Sequence, residues 1–246
     1  MPCGSWSAVP EPARLPTGRG VRVAIIDSGV YAAHPHVGSV AGGVAIDADG
    51  LERDDYVDRL GHGTAVTAAI REKAPDAELY AVKVFHGSLA TSIAALVHAI
   101  DWAARLGMHI ANLSLGTARV EHETVLRDAV ARASARGMAI VAAYEDEGVR
   151  WLPGSLPGVV PVQLDWSCPR DEYRVCEANG ATVFGASGFP REIPGVPPER
   201  NLSGISFAVA NMTGFAALVR EGAREMSVDD LVRGLQVPQR AVARDG

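Results

Sequence analysis

The chain has 246 residues, is 48% hydrophobic and 21% charged, and holds 26 glycines, which suits one compact α/β unit with a sizeable core and excludes a disordered or fibrous chain. Its formal net charge is −6, and no Lys/Arg block stands out, so a nucleic-acid partner is not expected. No apolar run reaches the length of a membrane span, so no membrane partner is expected either.

Residues 1–20 are broken repeatedly by Pro and Gly and read as an irregular N-terminal arm, leaving residues 21–246 as a single domain. The arm lacks a basic region followed by an apolar core, so no export signal is visible. Three cysteines (Cys3, Cys168 and Cys176) are an odd number for a disulfide framework. They read as thiols of a cytoplasmic protein, with pairing of Cys168 and Cys176 across a hairpin as the alternative.

Val21–Ile26 is a β-branched run with the character of a buried parallel strand, and it runs into Asp27-Ser28-Gly29. A carboxylate at the end of a core strand is expensive to bury without a cationic or hydrogen-bonding partner. The plainer reading of Asp-Ser-Gly is a turn. Residues 31–60 are loop-rich, and the acidic stretch 48–58 reads as a solvated surface loop. Gly61-His62-Gly63-Thr64 then opens a helix, and the flanking glycines leave the His62 ring accessible to neighbouring chain. His34-Pro35-His36 lacks a third metal ligand nearby.

Glu78–Phe85 reads as a strand and Thr91–Arg105 as an amphipathic helix ended by Gly107. His109–Leu113 is a strand leading to Ser114-Leu115-Gly116. Val120–Arg136 is a second helix, with Val125, Ala129 and Ala133 inward, and Met138–Ala143 a strand leading to Tyr144-Glu145-Asp146. This alternation predicts right-handed crossovers and a parallel sheet, with ligand sites beyond the carboxyl ends of its strands. Trp166–Gly195 reads as two short strands joined by turns, near the leaving-group side of any cleft. Gly204–Val219 reads as a buried helix rich in small residues, and Ser227–Leu235 as a short closing helix. Ser206 stands at the start of the buried helix, where it is either an N-cap or a nucleophile facing unpaired backbone N–H groups.

The segments VAIIDSGV, GHGT and GISFA, in that order, with the connectors APDAELYAVKVF, ANLSLG and LPGSLPGVVPV between them, resemble the subtilisin-like (subtilase) serine peptidases from about residue 21 to about residue 220. The resemblance implies a three-layer, doubly wound α/β fold with a seven-stranded, mostly parallel sheet. It implies that Ser206 attacks a scissile carbonyl, that His62 accepts its proton, and that Asp27 orients the imidazole. Ser114, Leu115 and Gly116 match the segment that pairs with substrate backbone and lines the pocket before the cut.

Departures from the family pattern matter as much. With the Ser206 end of the helix, the family's oxyanion hole uses an Asn side chain whose place is taken here by Asp146. An ionised carboxylate cannot donate a hydrogen bond; a protonated one can, if its pKa is raised, and Glu145 and Glu147 push that way. Ile205, Phe207 and Ala210 replace the family's Thr, Met and Pro. Only Arg71–Ala77 stands where the family has a Ca²⁺-binding loop, so no metal and no other cofactor is expected.

The resulting expectation is a serine endopeptidase acting on a peptide or protein, with a preference for a basic residue near the cut. The missing export signal and the short stretch before Val21 point to a dedicated intracellular processing enzyme. A peptide-binding pseudopeptidase and a transpeptidase using the same acyl-enzyme are the alternatives.

Overall fold

The computed structural model describes residues 15–223 and 225–237, so most of the expected N-terminal arm, including Cys3, lies outside the described residues. Ten strands form one sheet: β1 (Arg22–Asp27), β2 (Gly42–Ile46), β3 (Glu52–Arg53), β4 (Glu78–Lys83), β5 (Ile110–Leu113), β6 (Ala139–Asp146), β7 (Val149–Arg150), β8 (Val159–Leu164), β9 (Tyr173–Ala178) and β10 (Ala181–Ala186). Five α-helices accompany them: α1 (His62–Lys73), α2 (Ile93–Arg105), α3 (Glu123–Ala135), α4 (Ile205–Arg220) and α5 (Val228–Leu235). The strand order is β3-β2-β4-β1-β5-β6-β8-β10-β9, with β7 paired to β6. From β2 to β10 every neighbouring pair on that path is parallel, while β3, β7 and β9 add antiparallel edges.

Alternation along each central strand divides the core into two layers. Val23 and Ile25 of β1 face the same core as α1, α4 and α5, whereas Ala24 and Ile26 face α2 and α3. Val141 and Ala142 of β6 part in the same way. The fold is thus a three-layer α/β sandwich, as the sequence implied.

Small residues let α4 approach its neighbours. A methyl group added at Gly214 would lie 2.4 Å from Cβ of Lys73, so α4 packs against α1 with room for nothing larger. Nearer their starts the two helices meet through Phe207 of α4 and His62 of α1. Helix α4 begins one residue after Gly204, whose φ of 136° is left-handed backbone, and it is buried from Phe207 to Leu218.

Several boundaries differ from the sequence reading. Strands β2 and β3 lie in the stretch read as loop-rich. The helix expected over Val120–Arg136 opens with a 3₁₀ turn, Val120–His122, and its buried face is Leu126, Ala129, Val130 and Ala133; Val125 is exposed. At about 100° per residue, Val125 lies at the edge of the stripe formed by Leu126, Ala129, Val130 and Ala133. Strand β6 runs on to Asp146 and folds back through Glu147 and Gly148, both at positive φ, into β7. Cys168 and Cys176 are free thiols.

Candidate active site

Asp27 ends β1, and its side chain is fully buried. Both of its carboxylate oxygens meet Nδ1 of His62, at 2.8 and 2.9 Å, and one also accepts from the Ser28 N–H at 2.7 Å. The partner that a buried strand-end carboxylate requires is therefore an imidazole.

Two glycines make that contact possible. His62 is the first residue of α1, capped by Gly61 at φ 86°. A methyl group at Gly63 would lie 2.2 Å from the Gly29 carbonyl oxygen and 3.2 Å from an Asp27 carboxylate oxygen. Only a residue without a side chain lets the start of α1 come this close to the end of β1.

Asp58, read from sequence as part of a solvated loop, holds this arrangement. It is half-buried, and it accepts from the Ser28 hydroxyl (2.9 Å), the Thr64 hydroxyl (2.6 Å) and the backbone N–H groups of Leu60, Gly61 and Thr64. Ser28 in turn accepts from the Gly63 N–H at 2.8 Å. Burial alone would raise the Asp58 pKa, but these donors together hold it below the ordinary carboxylate value. The composition of residues 48–58 hid this residue. The signal available was its place just before a helix start, where a carboxylate can collect unpaired N–H groups.

Burial pushes the His62 pKa down, but the hydrogen bond and charge of Asp27, with the charge of Asp58, outweigh it and the net direction is up. The imidazole packs against the Phe207 ring, 5.7 Å between centroids, which places it beside the first turn of α4.

Ser206 is the second residue of α4 and half-buried. Its hydroxyl donates to the Ser114 carbonyl at 3.4 Å, and the Ser114 hydroxyl donates to the Ser206 carbonyl at 3.1 Å. Among the described residues the Ser206 hydroxyl makes no hydrogen bond to His62. Its N–H lies in the first turn, where no intrahelical acceptor exists. Ser114 is fixed by the buried Asn112 side chain (2.9 Å), and Asn112 is held by Thr213 of α4 at 3.0 Å. Neither Asn112 nor Thr213 was singled out from sequence. Leu115 and Gly116 follow, and a methyl at Gly116 would lie 2.7 Å from the Leu152 carbonyl oxygen. The Ser114–Gly116 segment thus runs along the turn after β7.

Asp146 lies at the end of β6, paired with Val149 of β7. It lines a cavity of about 510 Å³ together with Glu145, Glu147, Trp166 and Gly204. Gly204 is two residues from Ser206, so Asp146 and the start of α4 share one space. Burial, then the charge of Glu147, raises the Asp146 pKa.

No group of three or more candidate metal ligands occurs among the described residues. The turn between α1 and β4 offers Asp76, but that carboxylate already accepts from the Thr17 hydroxyl at 2.8 Å and pairs with Arg19 at 3.2 Å. This turn does not fit a multidentate Ca²⁺ site. No helix among the described residues is long and apolar enough to cross a membrane.

As chemistry, the arrangement places a fixed, basic imidazole and a hydroxyl at two helix starts that pack together, with a helix N-terminus available to a developing anion. Comparison with known proteins agrees with this reading. Residues 18–161 match the model of the Subtilase family. Subtilisin Savinase of Lederbergia lenta is 31% identical over 217 residues, which cover 83% of this chain and 78% of that protein. An alkaline protease of Alkalihalobacillus alcalophilus is 31% identical over 217 residues, 83% of this chain but 55% of that protein, so the chain spans about half the length of that relative. The crystal structure of a cold adapted subtilisin-like serine proteinase superposes with a TM-score of 0.68 at 22% identity, over 89% of this chain and 82% of that one.

Proposed function

The chain belongs to the subtilase family, and on that premise we propose that it is a serine endopeptidase that cleaves a peptide or protein substrate through an acyl-enzyme. The observation that carries this is the buried Asp27 carboxylate held by both oxygens to His62 Nδ1, which leaves Nε2 free to act as a base. Asp27 accepts the hydrogen bond of the Nδ1–H and so fixes the tautomer. Nε2 takes the hydroxyl proton of Ser206 as Oγ attacks the scissile carbonyl carbon. The carbonyl π electrons move to oxygen, and the resulting anion faces the Ser206 N–H. Collapse expels the amine, which takes the proton from Nε2. Water then repeats the sequence, with the carboxylic acid and free Ser206 as products. Ser114–Gly116 holds the acyl side of the substrate. For this step the Ser206 hydroxyl leaves its long bond to the Ser114 carbonyl and turns towards His62.

The finer role we propose is intracellular trimming of a peptide precursor; the unpaired Cys168 and Cys176 thiols favour a reducing compartment. A second reading, a pseudopeptidase that binds peptides without cutting them, is favoured by one observation. Asp146 lines a cavity shared with Gly204, two residues before Ser206, and on the family resemblance it stands where a neutral donor would stabilise the oxyanion. A fluorophosphonate probe separates the two. Labelling of the wild type and none of Ser206→Ala supports the peptidase. An unlabelled wild type that still binds peptide supports the binder.

A further inference from the structure

A cavity of about 640 Å³ opens beside Gly61 and Leu202, next to His62 and to the turn that leads into α4. It shares no lining residue with the Ser114–Gly116 segment or with the cavity around Asp146. In a chain of net charge −6 its charge is inverted: Arg59, Arg191, Arg200, His34 and His36 line it, and Asp58 is its one carboxylate among the described residues. That carboxylate is already taken up by Ser28, Thr64 and three backbone N–H groups.

The cations are not equally occupied. Arg59 is paired with Asp55, at 2.9 and 3.3 Å. Arg191 donates only to the His36 carbonyl, at a long 3.4 Å, and among the described residues neither Arg191 nor Arg200 meets a carboxylate. Burial, then the charges of Arg191 and His34, lower the His36 pKa, against a weaker opposite pull from Glu72. Ala65, Ala68, Ile193 and Leu202 supply an apolar floor for the stem of a side chain. A guanidinium presents a planar fork of donors that matches a carboxylate.

We infer that this cavity is a subsite for a carboxylate-bearing substrate residue on the leaving-group side of the cut, with Arg191 and Arg200 as its specificity determinants. The inference rests on the peptidase reading for its direction: Ser114–Gly116 holds the acyl side, so the chain leaving past His62 passes the Gly61–Leu202 opening. An acidic residue there enters a site where Arg191 and Arg200 meet no carboxylate among the described residues, whereas a lysine meets like charge. With Glu145, Asp146 and Glu147 around the other cavity, the two flanks of Ser206 carry opposite charge.

Three internally quenched peptides, alike except for Asp, Ala or Lys at the second and third positions after the cut, test this directly. The expected kcat/KM ratio of the Asp to the Ala peptide is about 10, and it shrinks with added salt as screening grows. Arg191→Ala with Arg200→Ala brings the ratio close to one, and Arg200→Glu turns it towards lysine. A wild-type ratio near one overturns the inference. So does a ratio that the double variant leaves unchanged, or an acidic preference found only before the cut.

Binding of the fluorescent Asp and Lys peptides to Ser206→Ala, read by anisotropy, tests the cavity without turnover. There the Asp peptide is expected to bind about 10-fold tighter, and equal binding overturns the inference. Labelling by the fluorophosphonate with no charge preference sinks the subsite alone. No labelling with charge-selective binding sinks the peptidase reading alone.

Discussion

Asp27, Ser28, Asp58 and Thr64 hold one another and His62 through a closed set of short hydrogen bonds. Glu145, Asp146 and Glu147, on the other flank of Ser206, carry no side-chain hydrogen bond or ion pair among the described residues; the first two end β6 and Glu147 opens its hairpin turn at positive φ. The base side of the cleft is built before any substrate arrives, whereas the anion side is acidic and loosely held. Preorganisation at the base supplies orientation. On the proposed reading, transition-state charge is stabilised on the other side, where Asp146 lines the cavity next to the start of α4. The imbalance suits an enzyme whose turnover is limited by oxyanion stabilisation rather than by proton transfer.

Breaking the held side should have the largest effect. In Gly63→Ala the new methyl would press on the Gly29 carbonyl and on Asp27, so α1 must withdraw from β1 and the His62–Asp27 contact opens. Peptide hydrolysis should fall at least about 100-fold, as for an ångström-scale misplacement of a catalytic group. Circular dichroism should show the fold retained, with overpacking costing about 1–3 kcal/mol. Activity within a factor of about three of wild type would mean that the close approach at Gly63 does not position His62.

Repairing the loose side should have the next largest effect, and of opposite sign. A raised carboxyl pKa favours the neutral, donating form, which is present below the ordinary Asp value and is lost as pH rises through the folded value. His62 needs the reverse: its raised pKa means that the neutral base is complete only above its usual range near 6.5. The two requirements pull apart: a rise to mildly alkaline pH readies the base and favours the charged form of Asp146, which on the proposed reading faces a growing anion. Asp146→Asn supplies a donor at every pH. It should raise kcat by about 10- to 100-fold there, somewhat less than a full oxyanion donor is worth, with the gain shrinking towards acid. An unchanged pH–rate profile would show that Asp146 does not face the oxyanion.

What the sequence allowed follows the same divide. Asp27, His62 and Ser206 stood out in the sequence because each sits in a short motif at an element boundary, and α4 because its small and apolar residues dominate four turns. The parallel strands were legible as apolar runs. Strand β2 was not: Gly42 and Gly43 look like loop, yet a methyl at Gly43 would lie 2.4 Å from the Ala81 carbonyl oxygen, so glycine there permits pairing with β4. Asp58 was hidden among Asp54 and Asp55, which share its composition but not its partners; only the path of the chain singles it out. Asn112 and Thr213 lie 101 residues apart, and no local pattern announces their bond. Asp146 was placed by resemblance, while the hairpin that carries it appears only when β6 is followed past Ala143.

Asp58 permits a finer cut within the held side. Its depressed pKa means that it contributes stability above the ordinary carboxylate range, and that this is lost as pH falls through the folded value. Asp58→Asn keeps the shape but removes the charge and part of the accepting capacity for five donors. Stability should fall by about 1–3 kcal/mol, the cost of under-satisfied buried donors. Because Asp58 is among the groups that raise the His62 pKa, the acid limb of kcat/KM against pH should move to lower pH, while kcat on the alkaline plateau changes less than about threefold. A loss of stability with an unmoved acid limb would reduce Asp58 to a loop anchor.

The smallest effect should come from a chelator, and it asks what does the holding. In this chain the carboxylates that organise the His62 side, Asp27 and Asp58, are occupied by imidazole, hydroxyl and N–H donors, and Asp76 in the turn after α1 is occupied by Thr17 and Arg19. None is left with the several free oxygens that Ca²⁺ demands. Were a tight ion bound to the native state alone, a 100-fold excess over its Kd would add about 2.7 kcal/mol, and EDTA would remove it. Melting curves with and without EDTA should therefore coincide to within about 1 °C. A drop of several degrees would mean that an ion, rather than the hydrogen bonds through Asp58, keeps the base side rigid.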